Sequence, residues 1–126
     1  MLRMSTIIVI ITFITINNKK ECMKSITKNT FKQDILESKK IILLDVWAPW
    51  CSPCRAMESV LEAVNEEIKG SAEVMKLDAS VEMELVQELG VSGLPTFLLF
   101  KDGQIVDSVI GMTTKSNLVD LVAKIQ

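Results

Sequence analysis

Cys51 and Cys54 stand two residues apart in the segment Trp47-Ala48-Pro49-Trp50-Cys51-Ser52-Pro53-Cys54. Cysteines at this spacing can close and reopen a small disulfide ring, or they can supply half of a metal site. An apolar run of branched residues, 41–46 (IILLDV), precedes them and a helical pattern follows, so the pair falls at a strand-to-helix junction. With Cys51 near the start of that helix, backbone N–H groups and the positive end of the macrodipole favour its thiolate. A thiolate is the attacking species in disulfide exchange, so Cys51 is the candidate redox nucleophile. Pro53 suits the first helical turn, where its missing N–H costs no hydrogen bond, and it stiffens the ring. The competing readings are half of a zinc site and an inert structural disulfide. The chain has no second Cys-x-x-Cys and no histidine to complete a metal site, which favours redox chemistry.

Composition narrows the field in the same direction. The absence of histidine removes every Ser-His and Cys-His nucleophile arrangement, and tyrosine is absent as well. General acid or base work therefore falls to Asp, Glu, Lys or Cys. A net charge of −2 and a pI near 5.2 argue against a phosphate-binding surface, so nucleic acid is not an expected partner. Three cysteines are too few for a disulfide framework. At 126 residues, 48% apolar and 24% charged, the chain has the make-up of a single globular domain.

The elements that must position the cysteines follow from periodicity. Asn29 or Thr30 can cap a helix with Phe31, Ile35 and Leu36 on one face. Residues 41–46 suit a strand buried on both faces. Met57, Val60, Leu61, Val64 and Ile68 recur at helical spacing, and Gly70 sits where that helix would stop. Residues 74–77 form a second strand. Ser80 can cap a helix with Leu85, Val86 and Leu89 inward, ended by Gly90. Residues 96–100 form a third strand, and Lys101-Asp102-Gly103 is a hairpin signal leading into a fourth, 105–110. Thr113 or Thr114 opens a last helix with Leu118, Leu121, Val122 and Ile125 on its apolar face. Alternation of strands and helices followed by a hairpin predicts an α/β fold with a mixed central sheet flanked by helices.

Residues 1–22 read differently and are set apart from a domain over 23–126. The run 6–16 (TIIVIITFITI), behind Arg3, is too short to cross a ~30 Å hydrocarbon core as a helix. It has the length of a signal-peptide apolar region, yet no small-x-small cleavage site follows. The readings are an export signal, a short membrane-associating segment, or an upstream extension or start-site artefact before a working start at Met23. Cys22, in this segment, reads as a non-functional thiol.

Asp45-Val46-Trp47-Ala48 followed by Trp50-Cys51-Ser52-Pro53-Cys54 resembles the active site of the thioredoxin family. Further matches follow in order: Lys76-Leu77-Asp78, Gly93-Leu94-Pro95-Thr96, Phe100-Lys101-Asp102-Gly103 and Gly111. The resemblance covers 23–126 and implies a thioredoxin fold, with Cys51 as the solvent-accessible attacking thiolate and Cys54 as the buried resolving thiol. It implies that Asp45 is the buried carboxylate beneath them. Desolvation in an apolar strand would raise its pKa toward that of a usable base for the Cys54 proton. Lys76 on the neighbouring strand would modulate Asp45. Pro95 would be cis, and the backbone at Leu94 would pair with an extended substrate segment. Trp50, Pro53, Leu94, Pro95, Ile110, Gly111 and Met112 would form the docking surface around Cys51, with Trp47 packing against the active-site loop.

The chain also departs from the family's common pattern. Ser52 replaces a glycine, and its hydroxyl could bond near the Cys51 thiolate. Ser59 replaces a helix-kinking proline, so the helix after the cysteines is expected to run straighter. Val46 replaces a common phenylalanine, and Ala79 a larger apolar residue of the docking surface.

The function implied is protein-disulfide reduction without a bound cofactor, the redox group being the Cys51–Cys54 disulfide. Implied partners are disulfide-containing protein substrates and a flavin- and NADPH-dependent thioredoxin reductase. The chain would act as a cytoplasmic monomer, with membrane contact only if residues 1–22 are retained. The alternatives are an exported or membrane-tethered thiol oxidoreductase and a redox-silent binding module on the same fold.

Overall fold

The computed structural model describes residues 22–126, so the run 6–16 lies outside the described residues. Five strands form one sheet: β1 (Lys24–Ser25), β2 (Ile41–Trp47), β3 (Ala72–Asp78), β4 (Thr96–Lys101) and β5 (Gln104–Ile110). Their spatial order is β1-β3-β2-β4-β5. β1, β3 and β2 run parallel, whereas β4 lies antiparallel to β2 and to β5. The helical elements are α1 (Lys32–Leu36, one π-helical turn), α2 (Ser52–Ala56), α3 (Glu58–Ile68), α4 (Met83–Glu88) and α5 (Lys115–Lys124). This is the expected α/β architecture with a mixed sheet. Among the described residues no helix is long and apolar enough to cross a membrane.

The sheet carries a core on each face, and the period-2 alternation of strand side chains assigns residues to them. Ile42, Leu44 and Val46 of β2 join Leu77, Leu98 and Phe100 against Ile35 and against Leu85 and Val86 of α4. Ile41 and Leu43 turn the other way and join Val74, Phe97 and Leu99 against Leu61, Val64, Leu118 and Val122 of α3 and α5. All of β2 except Trp47 is buried, as a strand covered on both faces must be. Asp45 and Lys76 have the same parity as Leu43 and Val74, so the sheet presents both to the α3 side.

Several local expectations give way to other physics. β1 pairs over only two residues with Met75 and Lys76, too short for any sequence pattern. Thr30 does not cap α1: its Oγ1 accepts from the Thr27 N–H at 2.9 Å, closing a turn before the helix. Leu36 is 41% exposed rather than inward, because α1 is a single widened turn. Ser80 does not cap α4; its hydroxyl donates to Asp78 Oδ1 at 2.6 Å, and Glu82 precedes the helix without a side-chain cap. Thr114 does cap α5, accepting from the Asn117 N–H at 3.1 Å.

The helix after the cysteines is not one straight rod. It breaks at Met57 into α2 and α3, although Ser59 leaves it without the kinking proline. The Met57 N–H is shared between the Pro53 and Cys54 carbonyls, both at 3.2 Å, which tightens the turn. Met57 itself is 1% exposed, so its burial in the α3-side core anchors the break. At the hairpin, Asp102 (φ 52°) and Gly103 (φ 77°) take the left-handed pair that a two-residue turn needs.

Candidate active site

β2 ends at Trp47 and the chain turns through Ala48-Pro49-Trp50 into α2, which places Cys51 at the N-cap and Cys54 in the first turn. The two are joined by a disulfide with Cα atoms 5.3 Å apart. The Cys54 N–H donates to Cys51 Sγ at 3.3 Å, one of the backbone donors that a helix start leaves free for a sulfur. Cys54 is 2% exposed and Cys51 6%. Cys51 is therefore far less open than a solvent-accessible thiolate implies. In the disulfide it packs with Ala48 and Cys54 against Trp47 and Leu94, and it lines a cleft.

That cleft, about 550 Å³ and mostly apolar, runs from Cys51 between the active-site loop and α4. Trp50, Pro53 and Leu94 line it as expected, and Trp50 is 72% exposed. Its far wall is Met83, Val86 and Gln87 of α4 with Val91, residues the sequence reading did not assign to the site. Ala79, flagged as an unusually small docking residue, lies between the two walls. The Leu94–Pro95 peptide is cis. Thr96 Oγ1 donates to the Gly93 carbonyl at 2.6 Å and the Gly111 N–H to the Pro95 carbonyl at 2.8 Å, fixing this loop beside the end of β5. Ile110, Gly111 and Met112 adjoin the cis-proline loop and do not line the cleft; Ile110 and Met112 are 72% and 61% exposed. Ser52 also lines the cleft, and its Oγ accepts from Arg55 Nη2 at 3.3 Å.

On the α3 side of the sheet, near the end of β2, the surroundings are charged and closed rather than apolar and open. Asp45 is 1% exposed, and neither carboxylate oxygen has a hydrogen-bond partner. Burial pushes its pKa up to about 7; the positive charge of Lys76 opposes that rise and the negative charge of Glu58 adds to it. Lys76, directly across from Asp45 on β3, is buried rather than a surface lysine. Its ammonium pairs with Glu58 Oε2 and lies 4.3 Å from the centre of the Trp47 ring. Sequence reasoning missed Glu58. The signal was an acid one helical turn beyond Cys54, but only the parity of β3 shows that Lys76 points at it. Among the described residues no group of three or more Cys, Asp or Glu side chains could hold a metal ion.

A close cysteine pair at a helix start, lining an apolar cleft in a domain that also buries a carboxylate on the preceding strand, has the make-up of a thiol–disulfide oxidoreductase. A family model described as Thioredoxin matches residues 22–124. The chain is 34% identical over 100 residues to a thioredoxin of Rickettsia felis, covering 79% of this chain and 95% of that one. It is 36% identical over 100 residues to thioredoxin 1 of Synechococcus elongatus (79% and 94%) and 38% over 96 residues to a thioredoxin of Porphyra purpurea (76% and 90%). The chain belongs to the thioredoxin family. Its activity is protein-disulfide reduction, and its redox group is the Cys51–Cys54 pair itself.

Proposed function

We propose that the two cysteines divide the reaction unequally, Cys51 attacking and Cys54 resolving. The observation that carries this is their placement: Cys51 lines the open cleft and Cys54 does not. The Cys51 thiolate attacks one sulfur of a substrate disulfide, forming a mixed disulfide and releasing the other sulfur as a thiolate. Cys54 loses its proton and attacks Cys51 Sγ, which expels the second substrate thiolate and leaves the Cys51–Cys54 disulfide. Two electrons pass from the dithiol to the substrate.

Asp45 is the base for the Cys54 proton. A carboxyl group whose pKa lies about 7 is part-ionised at neutral pH and can both accept and return a proton. Lys76 tunes it. Trp50, Leu94 and the cis-proline loop receive an extended substrate segment, whose backbone would pair with that of Leu94. Pro53 holds the ring, and Ile110, Gly111 and Met112 flank the docked segment. The oxidised chain is returned to the dithiol by a thioredoxin reductase drawing on NADPH, and the working form is a cytoplasmic monomer comprising 23–126. The reductase assignment follows from family membership, since the relatives are named thioredoxins.

The test is the equilibrium potential of Cys51–Cys54, titrated against a dithiol buffer and followed by Trp50 fluorescence. A strongly reducing value is expected of a general disulfide reductase. A strongly oxidising one would favour an exported oxidase, with residues 1–22 as its signal. The mature N-terminus, read by mass spectrometry, decides the same question independently.

A further inference from the structure

Three charges meet on the α3 side of the sheet, and only two belong to the pattern that carried the family resemblance. Asp45 on β2 and Lys76 on β3 are register partners. Glu58, in the first turn of α3, reaches down onto Lys76 and pairs with its ammonium. The three differ sharply in access. Asp45 is 1% exposed, the Lys76 side chain is 11% exposed, and the Glu58 side chain is 43% exposed. They therefore form a chain of alternating charge from the buried carboxylate outward.

The neighbours of this chain leave little else to set the field at Asp45. Opposite Asp45 on β4 stands Phe97, which is 1% exposed and carries no charge. Beyond Lys76 a crevice of about 320 Å³ is bordered by Glu58, Glu62 and Glu66 of α3, by Trp47, and by Cys22 and Ser25 on the other side. Lys76 is the only cation lining that crevice among the described residues. An unpaired Lys76 across from Asp45 would hold the carboxylate ionised through direct attraction. An ammonium that also faces Glu58 exerts a smaller net field, because the opposite charge beside it cancels part of its own.

We propose that Glu58 is a positioning residue for the redox reaction: by pairing with Lys76 it draws the ammonium toward α3 and offsets its charge, and so keeps the proton affinity of Asp45 high. The inference rests on the reading that Asp45 serves Cys54, but it is tested one step earlier, on Asp45 itself. Glu58's own effect on Asp45 has the matching sign, raising its pKa. Glu58 touches neither sulfur and takes no proton in this account; it acts only through charge.

The experiment is a carboxyl carbon-13 NMR titration of Asp45 in the oxidised full-length chain, for the parent protein and for Glu58→Gln, Lys76→Met and the double variant. Glu58→Gln keeps the shape of the side chain and removes its charge. It is expected to lower the Asp45 midpoint by roughly 0.5 unit, the size of one charge acting across a partly solvated gap. Lys76→Met is expected to raise the midpoint. In the Lys76→Met background the Glu58→Gln shift should shrink by about half or more, because the path through Lys76 is gone. An unchanged midpoint in Glu58→Gln overturns the proposal, as does a Glu58→Gln shift of full size without Lys76. Single-turnover resolution of a mixed disulfide, measured across pH on the same variants, separates the two readings. A rate midpoint that ignores a displaced Asp45 midpoint removes Asp45 as the base while leaving the action of Glu58 on it intact.

Discussion

Two regions, the cleft at the Cys51–Cys54 disulfide and the α3 side of the sheet around Asp45, are built on opposite principles. Near the disulfide, Trp50 and Met112 leave large apolar surfaces in water, and the cleft between the loop and α4 is lined mainly by carbon. On the α3 side, Asp45 and Lys76 are charges taken out of water, and the carboxylate lacks a single hydrogen bond. Each arrangement costs folding free energy: exposed apolar area forgoes burial, and a buried carboxylate without hydrogen bonds is desolvated with only the Lys76 charge to offset it. The difference teaches how one small domain separates recognition from proton handling. A non-directional, adaptable surface suits many protein segments, whereas in the proposed mechanism a buried carboxyl that titrates about pH 7 sets when the second step proceeds. If that division holds, changes around Asp45 should move pH dependence and stability, and changes at the cleft should move substrate affinity.

The largest consequence concerns stability. The Asp45 pKa rises from 3.8 to about 7 on folding. At about 1.4 kcal/mol per unit this is roughly 4 kcal/mol. The folded state binds the proton more tightly than the unfolded one. The associated stability is therefore fully present below pH about 4 and is lost as pH rises through about 7. Asp45→Asn should remove this dependence. Denaturant unfolding should show the parent chain losing about 4 kcal/mol relative to Asp45→Asn between pH 4 and pH 8. Parallel curves for the two proteins would mean that Asp45 is not desolvated on folding.

Next in size is the resolving step. Removing a general base of this kind costs on the order of 10²-fold. Stopped-flow decay of a preformed mixed disulfide should therefore slow by about that factor in Asp45→Asn at neutral pH, with little change in KM for the protein substrate. The smallest effect belongs to the cleft. Trp50→Ala should raise KM for a disulfide-bonded protein such as insulin roughly fivefold, about 1 kcal/mol of lost contact. It should leave the pH profile of resolution where it was. A Trp50 variant that moved the pH profile would show that the two regions are not separate.

How much of this was legible in the residues differs between the same two regions. The cysteine pair and the strand before it rest on strong local patterns, whereas the cis peptide at Pro95 rested on the family resemblance alone; the structure has all three in place. β2 could be read because burial on both faces leaves an unbroken apolar run. The break at Met57 could not, since it depends on where Met57 is buried and no helix breaker marks it. The expected straight helix after Ser59 failed for that reason. Met83 and Val86 look like one amphipathic helix in sequence, and only the placement of α4 beside the active-site loop turns them into a cleft wall. Glu58 is the sharpest case. Its partner lies 18 residues away on another element, so no spacing rule connects them. The nominated cap residues Thr30 and Ser80 failed because both hydroxyls had nearer turn partners, Thr27 and Asp78.

The central claim is that Cys51 attacks and Cys54 resolves. It is tested most directly by incubating reduced Cys54→Ser and Cys51→Ser forms of the full-length chain with insulin and mapping the trapped adducts by mass spectrometry. Cys54→Ser is expected to accumulate a mixed disulfide at Cys51, and Cys51→Ser to form none at Cys54. A Cys54-linked adduct in the Cys51→Ser protein, at a yield equal to that of the Cys51-linked one, would contradict it.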